Sequence, residues 1–212
     1  MNEPKPLRIT CTSTDCKNNL HCFRSSKKRA IADAGGRCRA CGVALVDWQR
    51  VHRRNLKDVE HTFGSLKLEL IRHYFWHVPI SERAMRYALK KGKLLLHSAT
   101  SKQIRRLIGC ATPFRDGTQT PREDSPQANA IHYAQHATAS CCRKCLEEWH
   151  GIPPGRELTD EEISYLTSLA MLYLEDRIPQ LTDYPQRVGS LPKPIGTQGR
   201  DQSLESQLGH AA

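Results

Sequence analysis

The chain of 212 residues is poor in the side chains that build a large apolar core. Aromatic residues make up 6 % and apolar residues 38 %, below the ~45–50 % usual for soluble domains on a count that also includes glycine. We therefore expect part of the chain to stay outside the core. No apolar run approaches the ~18 residues of a membrane-spanning helix, so the sequence indicates no membrane partner.

A secretory signal is also missing, because Met1-Asn2-Glu3-Pro4 opens no apolar segment. We therefore expect a cytoplasmic protein. Nine cysteines are a high count for such a chain. In a reducing compartment, clustered cysteines are typical of metal ligands rather than disulfides.

Positive charge is concentrated in the first half of the chain. Residues 1–110 hold 23 lysines and arginines against 8 acidic residues, whereas residues 111–212 hold 9 against 14. A basic half attracts polyanions, and nucleic acid is the obvious one in a cell. A well-solvated surface or an acidic protein partner are the alternatives. If the predicted helices at 81–91 and 101–108 pack antiparallel, six basic residues lie along one edge of the pair and could contact phosphates. These residues are Lys90, Lys91, Lys93, Lys102, Arg105 and Arg106.

Hydrophobic periodicity predicts a mainly α-helical fold. Helices are expected at about 56–77, 81–91, 101–108, 141–149 and 159–178, with a short strand at 43–46 and a loop at 111–130. Ser81, Ser140 and the Thr159-x-x-Glu162 capping box are the predicted helix starts, and Gly92 and Gly151 are predicted ends. The predicted domains are a zinc-stabilised α+β finger with basic helices (8–110), a compact helical domain (111–178) and a disordered tail (179–212).

Two cysteine pairs near the start of the chain predict a structural zinc site. The simplest ligand set is Cys11, Cys16, Cys38 and Cys41. Gly42 follows the second pair and allows a tight turn that points backbone amides at the sulfurs. His21 or Cys22 could replace one ligand. The pattern resembles zinc ribbons and treble-clef fingers in general terms.

Several polar residues after this site allow other interpretations. Some treble-clef proteins carry a His-Asn-His nuclease site, and the candidates here are Asp47, His52, Asn55 and His61. The alternative is that Asp47 and Asn55 cap helices. His73 and His77 share the spacing of a zinc protease motif, but Tyr74 replaces its glutamate base, which favours a structural role.

A second constellation lies near residue 140 and consists of His136, Cys141, Cys142, Cys145 and His150. Thiolates with imidazoles suit zinc, or an iron–sulfur cluster if Cys110 joins them. Alternatively, Cys141 or Cys142 is a nucleophile activated by the helix dipole and by His136. The third interpretation is that these thiols pack against the core.

The stretch AQHATASCCRKCLEEWHGIP, residues 134–153, resembles a bacterial family known as domain of unknown function 4186. The resemblance covers about residues 112–178 and includes Gln119-Thr120-Pro121. Ala128-Asn129-Ala130 departs from a Gly-His-Pro that is frequent in the family. The resemblance implies a small α-rich domain. It also implies that the five residues of the second constellation belong to a functional site, and it implies no activity.

These observations favour a cytoplasmic bacterial zinc protein that contacts nucleic acid through its basic half. The first alternative is a metal-dependent nuclease or other hydrolase that works at the second constellation. The second alternative is a non-enzymatic zinc scaffold with an acidic protein partner. Cys22 and Cys110 have no assigned role.

Overall fold

The computed structural model describes residues 8–24, 36–187 and 189. This part of the chain is mainly helical, as predicted, and contains no strand. The helices in these residues are α1 (Trp48–Val51), α2 (Val59–Lys67), α3 (Leu70–His77), α4 (Glu82–Ile108), α5 (Ala130–Ala137), α6 (Arg143–His150) and α7 (Asp160–Arg177). Single 3₁₀ turns lie at Cys16–Asn18 and Leu56–Asp58.

The predicted strand at 43–46 is wrong, because these residues are irregular. In the described N-terminal residues, β pairing is limited to isolated bridges between Asp15 and Leu20 and between His21 and Glu69. The α+β character predicted for the finger is therefore absent from the residues that the structure describes.

Two predicted helix starts are confirmed by their side-chain caps. Ser81 Oγ accepts a hydrogen bond from the Ala84 amide at the start of α4. Thr159 and Glu162 form a reciprocal capping box at the start of α7. Each cap satisfies amide donors that the first helical turn leaves without partners.

The helix predicted over 56–77 is interrupted between α2 and α3. Glu69 is extended, with φ −90° and ψ 124°. His21 pairs with the backbone on both sides of it: the His21 amide donates to Leu68 O, and the Leu70 amide donates to His21 O. This contact between residues distant in sequence breaks the helix and fixes the N-terminal segment against it.

Helix α4 is interrupted at Gly92, where φ is 67° and ψ is 167°. Residues 179–187 cover the interruption. The Lys93 amide donates to Thr182 O, and the Gln186 amide donates to Leu89 O. The predicted tail is therefore wrong for residues 179–187, which satisfy backbone groups of α4. The rest of the predicted tail, residue 188 and residues 190–212, lies outside the described residues.

Helix α5 was not predicted, and α6 begins later than predicted. The side chain of Asn129 caps α5. Ser140 does not cap α6: its hydroxyl lies 3.1 Å from that of Thr138, and the following helix begins after Cys142. The left-handed Gly151 ends α6 as predicted.

The buried apolar side chains form one core cluster that draws on residues before and after the predicted boundary at 110 and 111. Helix α3 packs on α5, and α7 packs on both α4 and α5. Tyr173 of α7 donates a 2.7 Å hydrogen bond to Phe75 O in α3. None of the helices in the described ranges combines the length and apolarity needed to cross a bilayer.

Candidate metal centres

Four side chains near the start of the chain converge in what we call the first centre: Cys16, His21, Cys38 and Cys41. The Sγ atoms of Cys16 and Cys38 are 3.8 Å apart, and Cys41 Sγ is 3.5 Å from His21 Nδ1. A tetrahedral zinc ion, with Zn–S bonds of about 2.3 Å and Zn–N bonds of about 2.0 Å, holds sulfurs about 3.8 Å apart and sulfur and nitrogen about 3.5 Å apart. The observed spacings therefore fit a single tetrahedral ion.

The turn from Cys38 to Gly42 arranges two of these thiols. Gly42 takes φ 77° and its amide donates to Cys38 O at 2.9 Å. Burial opposes ionisation of Cys38, but backbone amides, first that of Cys41, hydrogen-bond its sulfur and lower its pKa to about 6. The turn thus prepares a thiolate, which is the form that binds metal.

His21 takes the place that the simplest prediction gave to Cys11. Its Nδ1 faces the thiols, while its Nε2 lies 3.0 Å from Asn19 Oδ1. A partner on the second ring nitrogen orients a metal-binding histidine and fixes its tautomer. The ring is buried, and the backbone of His21 is held between α2 and α3.

Cys141, Cys142 and Cys145 form what we call the second centre. The Sγ atom of Cys145 lies 3.7 Å from that of Cys141 and 3.3 Å from that of Cys142. The three residues are 5 %, 3 % and 1 % exposed. Contacts with the Cys142 and Cys145 thiols, and then with the Arg72 guanidinium, hold the pKa of Cys141 well below its ordinary value. The group can therefore offer a thiolate in a buried position.

A buried ion pair that the sequence prediction missed lies beside the second centre. Arg72 donates to Cys145 Sγ at 3.0 Å, to His136 O at 2.6 Å and to Glu69 Oε2 at 3.0 Å. Glu69 also accepts from Trp149 Nε1 at 3.0 Å. Arg72 and Glu69 are each 2 % exposed. Such a guanidinium compensates the negative charge of the thiolates.

His136 and His150 lie outside both groups of side chains that could hold a metal ion, although the sequence analysis placed them with the second constellation. His136 Nε2 faces the carbonyls of Thr120 and Pro121 at 3.3 and 3.2 Å. His150 has partners on both nitrogens, Thr138 O and Tyr165 Oη. Burial lowers the pKa of each histidine to about 4. Both are neutral at pH 7 and serve as core hydrogen-bonding residues.

The thiols of the other three cysteines are not among the ligand atoms that converge in the first centre. Cys11 is half-buried, and its carbonyl accepts from Cys22 Sγ at 3.2 Å. Cys22 is fully buried, with its pKa raised to about 12, chiefly by burial. Cys110 is exposed.

Three of the four residues considered for a His-Asn-His nuclease have structural partners, whereas His61 Nε2 is buried without a hydrogen-bond partner among the described residues. Asp47 caps α1 by accepting from the Arg50 amide, and Asn55 accepts from the Lys57 amide at the next turn. His52 Nε2 lies 3.1 Å from Glu148 O. This arrangement matches the alternative interpretation, in which Asp47 and Asn55 are helix caps.

The six basic residues of α4 differ in their surroundings. The two predicted helices lie in α4, on either side of the break at Gly92. Lys93 pairs with Glu175 at 2.9 Å and Arg105 pairs with Asp160 at 2.6 Å. Lys91 lies over the Tyr87 ring. The exposed members are Lys90, Lys102, Arg105 and Arg106.

A family model described as Domain of unknown function (DUF4186) matches residues 60–175, and the chain belongs to this family. The match includes the second centre and Arg72, whereas the four side chains of the first centre precede it. No solved structure matches the chain.

Proposed function

We propose that this member of the DUF4186 family is a zinc-stabilised protein that binds nucleic acid through exposed basic residues of α4. The observation that carries the zinc assignment is the spacing of the first centre, 3.8 Å between sulfurs and 3.5 Å between sulfur and nitrogen. Three cysteines and one histidine are a common closed ligand set for structural zinc.

The second centre suits a single ion better than an iron–sulfur cluster. Its sulfurs lie 3.3 and 3.7 Å apart, close to the spacing of about 3.8 Å expected on one zinc ion. A four-iron cluster places each thiolate on a different iron and so spreads the sulfurs further apart. We therefore assign zinc to this centre as well.

The burial of the second centre favours a structural role over catalysis. A catalytic zinc keeps one position open to water or substrate, whereas these thiols are at most 5 % exposed. The same burial disfavours Cys141 and Cys142 as nucleophiles. His136, which would activate the nucleophile in that hypothesis, faces backbone carbonyls instead.

Charge supports the nucleic-acid part of the proposal. Lys90, Lys102 and Arg106 are exposed, and they form no ion pair with any residue in the described ranges. Lys102 and Arg106 are one helical turn apart, so they lie on the same side of α4. Free cations on one face are the expected contacts for a phosphate backbone.

Fluorescence anisotropy with labelled duplex and single-stranded DNA tests this proposal. We expect binding that weakens steeply with salt, because counterions return to the phosphates. Lys102→Glu/Arg106→Glu should weaken binding and reduce the slope of log K against log salt by about two, roughly one for each lost contact. The control variant Arg53→Glu/Lys57→Glu makes the same change in net charge at exposed positions outside α4. It should retain most of the DNA affinity.

Two results would contradict the nucleic-acid part. One is absent or salt-insensitive binding by the unmodified protein. The other is an equal loss in both double variants, which would assign the attraction to net charge rather than to α4.

A further inference from the structure

We propose that Cys11 supplies the fourth thiolate of the second centre, so that one ion joins the N-terminal segment, residues 8–24, to the helical core. This inference rests on the zinc assignment of the proposed function and names the ligand that completes it.

The second centre needs one more donor to close. Structural zinc is almost always bound by four protein ligands, and this group offers three thiols. His136 and His150 are turned to other partners. Cys110 is exposed, whereas the three thiols are buried. A fourth ligand must therefore come from another segment that packs against the core.

A hydrogen bond two residues before Cys11 ties the N-terminal segment to the loop beside the second centre, since Arg122 donates to Ile9 O at 2.6 Å. Within the segment, Cys22 Sγ lies 3.2 Å from Cys11 O. Two residues before Arg122, the Thr120 hydroxyl donates to Cys141 O at 2.8 Å. The loop that holds the N-terminal segment thus also holds the first cysteine of the second centre.

The Cys11 thiol lies outside the group of three whose sulfurs are all within 4.8 Å of one another. It is nevertheless close enough to Arg72, Cys141 and Cys145 for their charges to act on it. Arg24, in the same N-terminal segment, interacts with Cys145, Cys11 and Cys142. Cys11 therefore shares its charged neighbours with the second centre.

Two guanidinium groups offset part of the negative charge that four thiolates would bring. A zinc ion with four cysteine thiolates carries two negative charges, which are costly to bury unless they are compensated. Arg72 and Arg24 provide two guanidinium groups beside these thiols. Glu69 shares Arg72 through its 3.0 Å ion pair, so the Arg24 contribution is needed.

The sequence pair Cys11-x4-Cys16 would then be divided between two ions. Cys11 lies in a turn closed by the Ser13 amide, which donates to Thr10 O at 3.1 Å, and Cys16 begins the following 3₁₀ turn. The N-terminal segment has little secondary structure of its own, so coordination at Cys11 and at Cys16 would supply its attachment to the core.

Cadmium-113 NMR of the full chain, reconstituted with ¹¹³Cd²⁺, tests this inference because the chemical shift reports the number of sulfur ligands. We expect two resonances, one typical of four sulfurs and one typical of three sulfurs and one nitrogen. Cys11→Ser should move or remove the four-sulfur resonance and leave the other in place. Cys110→Ser removes an exposed thiol and should change neither resonance.

The outcomes separate this inference from the proposed function. Two resonances that are both typical of three sulfurs would overturn the role of Cys11 and leave two metal centres intact. A spectrum without any resonance from the second centre would overturn both proposals for that centre. If Cys11→Ser does not fold, the spectrum of the unmodified chain still decides, since the four-sulfur resonance is either present or absent.

Discussion

The two centres contrast in how the chain assembles them. The ligands of the first centre lie within residues 16–41, and Cys41 remains exposed. The thiols of the second centre lie at the entrance of α6, fully enclosed, and contact Arg72 from α3. A local, partly exposed centre depends on its own turns, whereas an enclosed centre depends on how the helices pack around it.

The residues around Glu69 contact both the first centre and the surroundings of the second centre. The backbone at residues 68–70 pairs with His21 of the first centre. The Glu69 carboxylate accepts from Arg72, which contacts the second centre, and burial raises the pKa of this carboxyl group. One short junction between α2 and α3 therefore contacts residues of the first centre and the ion pair beside the second centre.

The largest expected effect comes from removing the buried cation. Arg72→Met leaves Glu69 buried without its partner and withdraws the donor to Cys145, which should cost about 3–5 kcal/mol of unfolding free energy. Denaturant unfolding of the metal-loaded protein measures this. The first centre should still bind its ion in whatever fraction of the variant folds.

Two variants serve as controls for that experiment. Arg86→Met breaks the more exposed pair with Glu82 and should cost at most about 0.5 kcal/mol. Adding Glu69→Gln to Arg72→Met removes the uncompensated charge and should recover part of the loss. If Arg72→Met and Arg86→Met lower the unfolding free energy equally, burial does not distinguish the two ion pairs.

A smaller effect is expected at the first centre. Asn19 has φ 58° and accepts from His21 Nε2. Asn19→Gly tolerates the left-handed conformation and removes only the acceptor, so zinc affinity at the first centre should fall about tenfold, as for other partners of metal-binding histidines. Competition with a chromophoric chelator measures the affinity of each centre.

The neighbouring asparagine provides the matched control. Asn18 bonds Asp15 rather than His21, so Asn18→Gly should leave zinc affinity unchanged. A lower zinc affinity at the second centre in either variant would contradict the expectation that these substitutions leave the second centre unaffected.

Features that depend on neighbouring residues were predictable from the sequence. The Cys38–Gly42 turn, the Ser81 cap and the Thr159–Glu162 capping box each follow from residues at most four positions apart. Backbone geometry over such distances is set by local sterics and local hydrogen bonds, so the pattern of residue types contains the information.

Features that depend on packing between distant segments were not predictable. The sequence left open whether His21 or Cys22 replaces one cysteine of the first centre, and the structure places His21 there, with its backbone paired to residues 68–70. Arg72 had no sequence signal, since a single arginine in a helix is ordinarily solvated. Ser140 failed as a cap because its hydroxyl lies against that of Thr138.

Native mass spectrometry under non-denaturing conditions tests the central claim most directly, which is that two separate ions hold this fold together. We expect the mass of two zinc ions per chain, and the loss of one ion in Cys38→Ser and of one in Cys145→Ser. A chain that carries no metal, and that keeps its helical circular dichroism and thermal stability after exhaustive chelation, would contradict it.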